Sequence, residues 1–104
     1  MFDIQKMMKQ AQKMQDQMQE VQKEMESRQF TGTAGGGAVT VVCNGKFEFL
    51  SVKISPEAAQ DAETLEDLMM AALKDATSTV SRTLEDEMKK VTAGMNIPGL
   101  KLPF

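Results

Sequence analysis

Few side chains of this 104-residue chain could do chemistry. There is no His, so the commonest general base is absent, together with every His-dependent triad and metal site. Cys43 is the single cysteine, which excludes an intramolecular disulfide and every multi-cysteine metal cluster. Because no base can be named to activate its thiol, we interpret Cys43 as a small core residue. We therefore expect no enzyme activity, no metal site, no cofactor and no small-molecule substrate.

Three consecutive glycines, Gly35–Gly37, are a second candidate, since glycine-rich loops can cradle phosphates. The run matches neither GxGxxG nor GxxxxGK[ST], and strand-forming residues follow it where a helix N-terminus would be needed. We interpret it as a flexible or bulged connection.

Basic side chains remain as groups that could bind a ligand. Lys6, Lys9 and Lys13 fall within about two turns of one predicted helix, at spacings that could meet successive backbone phosphates. Overall, 12 Lys and Arg stand against 15 Asp and Glu, and this net charge of −3 argues against a simple polycation. The acidic stretch Glu57–Asp67 is either a border that repels anionic partners or solvated helix surface.

The composition indicates one α+β domain over residues 1–104, built from three blocks and a tail. Residues 3–29 lack Gly and Pro and predict a long helix. Residues 30–55 are rich in Val, Phe, Thr and Gly and predict three antiparallel strands, and residues 61–93 predict a second long helix. A Pro/Gly tail, residues 94–104, closes the sequence. With no signal-peptide pattern, no run of about 18 apolar residues and a lone thiol, we expect a cytoplasmic protein.

An apolar seam at alternating three- and four-residue steps runs along the first helix, as in a coiled coil. Its members are Ile4, Met7, Ala11, Met14, Met18, Val21 and Met25. The helix either lies on its own sheet or pairs with another helix. At roughly 1.5 Å per residue the helix is about 40 Å long. The sheet predicted from residues 30–55 is too short to cover that length, so we expect a second chain to cover part of the seam.

The middle block predicts a hairpin at Asn44-Gly45, because both residues tolerate positive φ. The strand before it alternates, with Cys43 on its buried face. In the strand after it, Phe47 and Phe49 share one face, whereas Leu50, Val52 and Ile54 share the other. That conflict predicts a β-bulge or burial on both faces.

The last helix is expected to begin near Asp61 or Thr64, where Thr64 and Asp67 have the spacing of a capping box. Gly94 is expected to end it.

Several segments in this order resemble one family. They are Met8–Gln12, Val39–Val41, Asn44-Gly45, Val52–Pro56, Leu65–Leu68 and the ending Gly94–Phe104. The chain resembles the YbaB/EbfC nucleoid-associated proteins over nearly its whole length. The resemblance implies a bacterial or plastid α-β-β-β-α protein, located in the nucleoid, that forms a tweezer-like homodimer through its sheet. It also implies binding of double-stranded DNA with little sequence preference, altered DNA conformation and an influence on gene expression.

The DNA-binding residues expected from charge and position are Lys6, Lys9, Lys13, Lys23, Arg28, Arg82, Lys89 and Lys90. Only Lys9 lies within a segment that matches the family. Family members commonly have basic residues in the middle of the last helix, where this chain has Ser78 and Thr79. The alternative function is a dimeric protein-interaction module, since Met-rich faces suit adaptable binding.

Overall fold

The computed structural model describes residues 3–95, so the expected tail lies outside the described residues from residue 96 onward. The elements are α1 (Ile4–Ser27), β1 (Gln29–Ala34), β2 (Val39–Asn44), β3 (Phe49–Ile54), α2 (Pro56–Ala59) and α3 (Ala62–Met95). This is the predicted α-β-β-β-α architecture, with the short helix α2 added to it. Within the described residues, none of the helices is long and apolar enough to cross a membrane.

Side-chain caps fix where α1 and α2 begin. The Asp3 carboxylate accepts a hydrogen bond from the Lys6 N–H at 3.2 Å, which satisfies one of the unpaired amides of the first turn. The Ser55 hydroxyl accepts from the Ala58 N–H at 3.1 Å, and Pro56 follows it at the first helical position, where its fixed φ suits a helix. α2 was not predicted, because a helix of four residues is too short to show a periodic pattern in the sequence.

Of the two residues predicted to begin the last helix, Asp61 and Thr64, it is Asp61 that caps α3. Asp61 accepts from the Thr64 N–H at 3.4 Å and from the Thr64 hydroxyl at 2.7 Å. These bonds lower the pKa of the Asp61 carboxyl. Thr64 is thus inside the helix, and its predicted role as the cap of a box with Asp67 is wrong.

Both long helices end within two residues of the expected positions. α1 stops at Ser27 rather than residue 29, because Arg28 turns to extended backbone and its N–H donates to the carbonyls of Glu24 and Met25. α3 continues through Gly94 to Met95, so the predicted stop at Gly94 is wrong. A single glycine costs a helix only about 1 kcal/mol, which packing can offset.

The three strands form one antiparallel sheet in the order β1-β2-β3. Cys43 lies opposite Phe49, whereas Val41 lies opposite Val52, so β3 contains one extra residue between these pairs. The predicted β-bulge is therefore confirmed. Because paired residues share a face, the bulge brings Phe49 onto the face of Val52 and Ile54.

The β2–β3 turn lies where Asn44-Gly45 was predicted, but its conformation differs. Neither of these residues has positive φ; Phe47 does, at 62°. The turn closes with the Asn44 N–H donating to the Glu48 carbonyl at 3.0 Å. Gly45 is required for space instead: its N–H donates to the Met25 carbonyl at 2.8 Å, and an added Cβ would lie 2.3 Å from that oxygen.

The glycine run forms the tight β1–β2 turn, and all three residues of Gly35–Gly37 have positive φ. The Gly37 N–H donates to the Ala34 carbonyl and the Ala38 N–H to the Gly35 carbonyl, both at 3.3 Å. This backbone conformation suits glycine and supports the interpretation of the run as a connection.

The core lies between α3 and the first two strands. Gly32 lets β1 approach α3 closely, since a Cβ there would lie 2.2 Å from the Ala72 carbonyl oxygen and 2.5 Å from the Ala76 nitrogen. The fully buried residues are Val39, Val41, Cys43, Ala72, Ala76 and Val80. Burial raises the pKa of the Cys43 thiol, and the interpretation of Cys43 as a core residue is confirmed.

Candidate nucleic-acid interface

α1 and α3 leave the sheet together as a two-helix arm, and the molecule measures 70 × 24 × 15 Å. The helices are antiparallel, since Met25 and Leu84 line one groove between them and Met18 and Met88 line the next. The second helix that pairs with the C-terminal half of the α1 seam is thus α3 of the same chain. The seam becomes progressively more exposed towards the N-terminus, where Ile4 is 68% exposed.

Three of the predicted basic residues share one face of the arm tip, which we define as residues 4–14. Lys6, Lys9 and Lys13 are exposed and fall within about 60° of one another around the helix, opposite the apolar seam. From first to last they span about 10 Å along the helix axis. Within the described residues none of the three forms an ion pair.

The other predicted residues do not join this cluster. Lys89 pairs with Glu85 at 3.5 Å and Lys90 with Glu87 at 3.4 Å, so neighbouring carboxylates offset both charges. Arg28, at the base of the arm, lies over the ring of Phe30 at 5.4 Å from its centroid.

Lys23 and Arg82 are exposed at other positions along the arm. Three further exposed lysines, Lys46, Lys53 and Lys74, belong to the sheet and its covering helix and were not among the predicted site residues.

A group of five acidic residues lies at the end of the molecule opposite the arm tip. We call Glu57, Asp61, Glu63, Glu66 and Asp67 the acidic end; all five are exposed. Leu68, the next residue of α3, lies beside Gly35 in the β1–β2 turn, where a Cβ added to Gly35 would lie 2.8 Å from the Leu68 Cδ2. This turn is at the end of the sheet away from the arm. Lys6, Lys9 and Lys13 therefore lie far from these five carboxylates, although other acidic residues, among them Glu85–Glu87, lie on the arm.

The two edge strands of the sheet, β1 and β3, differ in exposure. At the β1 edge, α3 covers the strand, and the Asp75 carboxylate accepts the Thr33 N–H at 3.0 Å. At the β3 edge every residue of the strand is exposed, including Leu50, Val52 and Ile54 at 53%, 46% and 41%. An exposed apolar edge strand of this kind is a template for pairing with another strand.

The sequence of this chain matches a known protein family. The family model described as the YbaB/EbfC DNA-binding family matches residues 1–95. The chain belongs to the YbaB/EbfC DNA-binding family. The resemblance seen in the sequence is confirmed.

Relatives of this YbaB/EbfC chain are named nucleoid-associated proteins. A nucleoid-associated protein of Clostridium novyi is 51% identical over 100 residues, covering 94% of this chain and 88% of its own. A nucleoid-associated protein of Clostridium kluyveri is 47% identical with the same coverage. The crystal structure of an uncharacterized protein from Helicobacter pylori is similar in fold, with a TM-score of 0.66 and 22% identity over 91% of this chain and 98% of its own.

In this YbaB/EbfC chain the middle of α3 is polar without being basic. Ser78 is exposed, and the Thr79 hydroxyl donates to the Asp75 carbonyl at 2.9 Å. Hydroxyls can hydrogen-bond a phosphate but cannot neutralise it. Ser78 and Thr79 therefore add no positive charge that could attract a polyanion.

Proposed function

We propose that this protein binds double-stranded DNA as a nucleoid-associated homodimer, with little sequence preference, and so alters DNA conformation and gene expression. The single observation that carries the proposal is the arm-tip cluster of Lys6, Lys9 and Lys13, exposed and without ion pairs in the described residues. Membership of a DNA-binding family and the name shared by the relatives support it.

The chemistry of the cluster favours phosphate over bases. Lysine is a compact point charge that neutralises phosphate without the fixed fork by which Arg reads guanine. Steps of three and four residues place the ammonium groups about 5–6 Å apart along the helix, a spacing that suits the closely spaced charges of a duplex. Binding governed in this way depends on charge and discriminates little between sequences.

The remaining predicted residues have a secondary part in this proposal. Lys23, Arg28 and Arg82 would add contacts where bent DNA reaches the base of the arm. Lys89 and Lys90 would have to leave their glutamate partners first, and this lowers the net gain from each contact.

The homodimer would form through β3. Pairing of two β3 edges would bury Leu50, Val52 and Ile54 and join the two sheets into one of six strands. The β1 edge is unsuited to this role, because α3 and Asp75 already cover it. Such a dimer carries two arms, and therefore two lysine clusters that could grip one duplex.

The alternative is a protein-interaction module without DNA binding, which the Met-rich seam at the arm tip favours. Titration of a random duplex at two salt concentrations, followed by mobility shift, separates the two functions. DNA binding through phosphates must weaken steeply with salt. Absence of any duplex binding at low salt would contradict the proposed function and leave the protein-interaction module.

A further inference from the structure

Methionine side chains hold α1 in the arm. Among the described residues of α1, the apolar side chains that are partly or fully buried are Met14, Met18, Val21 and Met25. Three of these four are methionines, and on the side of α3 Met88 is buried as well, at 6% exposed. The attachment of α1 to α3 therefore depends on thioether contacts, which are soft and specify their neighbours poorly.

Met18 and Met88 line the same groove between the two helices. The groove has a volume of about 460 Å³, and the exposed side chains Gln22 and Ser81 line it as well. Because exposed side chains line the groove, it is open to water, and a small neutral oxidant such as a hydroperoxide can enter it. The sulfur of methionine is oxidised by such reagents to a sulfoxide. Both methionines thus belong to the packing of the arm and are within reach of an oxidant in solution.

The body of the molecule, formed by the sheet and the part of α3 that covers it, depends much less on sulfur. Its fully buried side chains are valines, alanines and Cys43. Burial raises the pKa of the Cys43 thiol and so disfavours the reactive thiolate. Met69 borders this core and shares that position with Leu68 and Leu73. An oxidant is therefore expected to act on the arm before it acts on the body.

α1 depends on this packing to stay helical. Within the described residues no ion pair joins two side chains of α1, and most of the helix surface is exposed. Isolated helices of such length are marginal in water, because most helical stability in proteins comes from packing of the apolar face. Loss of the contacts of α1 with α3 would therefore release α1 and let it fray.

We propose that Met18 and Met88 form an oxidation site that controls the arm: a hydroperoxide converts one or both thioethers to sulfoxides, and α1 then separates from α3. The sulfur attacks an oxygen of the peroxide, so that an S–O bond forms and the O–O bond breaks. Sulfur is oxidised, and hydrogen peroxide is reduced to water. The sulfoxide oxygen finds hydrogen-bond donors in water and in Gln22 and Ser81 at the open side of the groove. The oxidised side chain therefore turns outward and gives up its apolar contacts between the helices.

Opening of the arm does not rest on the proposed function, but its consequence for DNA does. A frayed α1 no longer holds Lys6, Lys9 and Lys13 on one face, so oxidation would weaken the proposed binding of duplex DNA. A test on the protein without DNA keeps the two questions apart. A parent protein that binds no DNA would contradict the proposed function and leave the outcome of this test unaffected.

Hydrogen exchange of backbone amides, measured before and after treatment with hydrogen peroxide, tests the proposal in three proteins. The first is the parent. The second is the resistant variant Met18→Leu, Met88→Leu, in which leucine keeps the volume and the apolar character of the groove. The third is the matched control Met7→Leu, Met8→Leu, which removes two exposed methionines of α1 and leaves the groove unchanged.

Peroxide should accelerate exchange of the amides of residues 17–26 at least about tenfold in the parent and in the matched control, and leave it unchanged in the resistant variant. Peptide mass mapping should find an added oxygen at Met18 or Met88 in the first two proteins. Amides of β2, which belongs to the body, are the internal control and should keep their protection. Reduction by a methionine sulfoxide reductase with a dithiol, which releases the oxygen as water, should restore slow exchange.

Three results would overturn the proposal. The first is an equal loss of protection in the parent and the resistant variant. The second is complete oxidation of Met8 in the parent while Met18 and Met88 both stay unmodified. The third is an oxidised groove with unchanged exchange of residues 17–26. Exchange that stays fast after the sulfoxides have been reduced would also overturn control by reversible oxidation.

Discussion

The close approach of β1 to α3 at Gly32 predicts a large loss of stability on Gly32→Ala. The added Cβ would lie 2.2 Å from the Ala72 carbonyl oxygen and 2.7 Å from the Ala76 Cβ. Restoring van der Waals contact requires α3 to move away from β1 by about 1 Å, which would open gaps along the rest of the packed interface. Overpacking of this kind costs about 1–3 kcal/mol, and against backbone atoms we expect the upper end or more.

Gly32→Ala also has a stabilising effect, which opposes the steric one. Gly32 has ordinary strand backbone, so alanine there would otherwise stabilise the fold by about 0.5–1 kcal/mol through the unfolded state. The steric effect is several times larger, and we expect a net loss of about 2–3 kcal/mol or more. Urea denaturation at fixed protein concentration measures it as a lower midpoint with an unchanged slope.

Gly36→Ala is the matched control for Gly32→Ala. Its Cβ would meet nothing within 4 Å, and its only penalty is the positive φ of 67°, worth about 1–2 kcal/mol less the entropic gain. A Gly32→Ala protein as stable as the parent, or more stable than Gly36→Ala, would refute the packing of α3 on β1 described above.

Two further substitutions test the core and the dimer. Cys43→Ser should lower the free energy of unfolding by about 1–3 kcal/mol, because Cys43 is fully buried and a hydroxyl there is poorly satisfied; DNA affinity of the folded fraction should not change, and a large loss of affinity with intact folding would make the thiol functional. The parent should sediment at micromolar concentration with twice the mass of the 11.5 kDa chain. Val52→Asp should give a folded monomer, since burying an unpaired carboxylate in a β3 interface would weaken it by at least about 100-fold. Met70→Asp is its control and should stay dimeric, since Met70 lies on α3 and is at least as exposed as Val52; an unchanged dimer in the Val52→Asp protein would contradict pairing through β3.

The elements and the bulge could be predicted because local sequence determines them. An uninterrupted stretch without Gly or Pro predicted α1, and the conflict between Phe49 and Val52 across a period of two predicted the bulge. The turn conformation could not be predicted in the same way. Gly45 is held by a hydrogen bond to the Met25 carbonyl, a tertiary interaction, and the positive φ of the turn lies at Phe47.

Only part of the candidate site could be predicted from the sequence, because the rest depends on tertiary contacts. Helical geometry alone places Lys6, Lys9 and Lys13 on one face. Which cations are paired depends on rotamers and neighbours on α3, and which part of the seam stays exposed depends on where α3 ends against α1. The closed β1 edge depends on a hydrogen bond between residues 42 positions apart, Thr33 and Asp75, that no local pattern reveals.

The salt dependence of binding shows whether the arm-tip lysines Lys6, Lys9 and Lys13 hold DNA through its phosphates. The measurement compares the parent with the triple variant Lys6→Gln, Lys9→Gln, Lys13→Gln on random duplexes, with Lys46→Gln, Lys74→Gln as a control that removes charge from the body of the protein. Glutamine keeps helix propensity while removing the charge.

If each of the six lysines of a dimer neutralises one phosphate, the slope of log K against log salt should become shallower by up to about 5 in the triple variant. The triple variant should stay a folded dimer and bind every duplex more weakly, whereas the control should keep nearly the parent slope. A triple variant that binds with the parent's affinity and slope would contradict DNA binding through the arm-tip lysines.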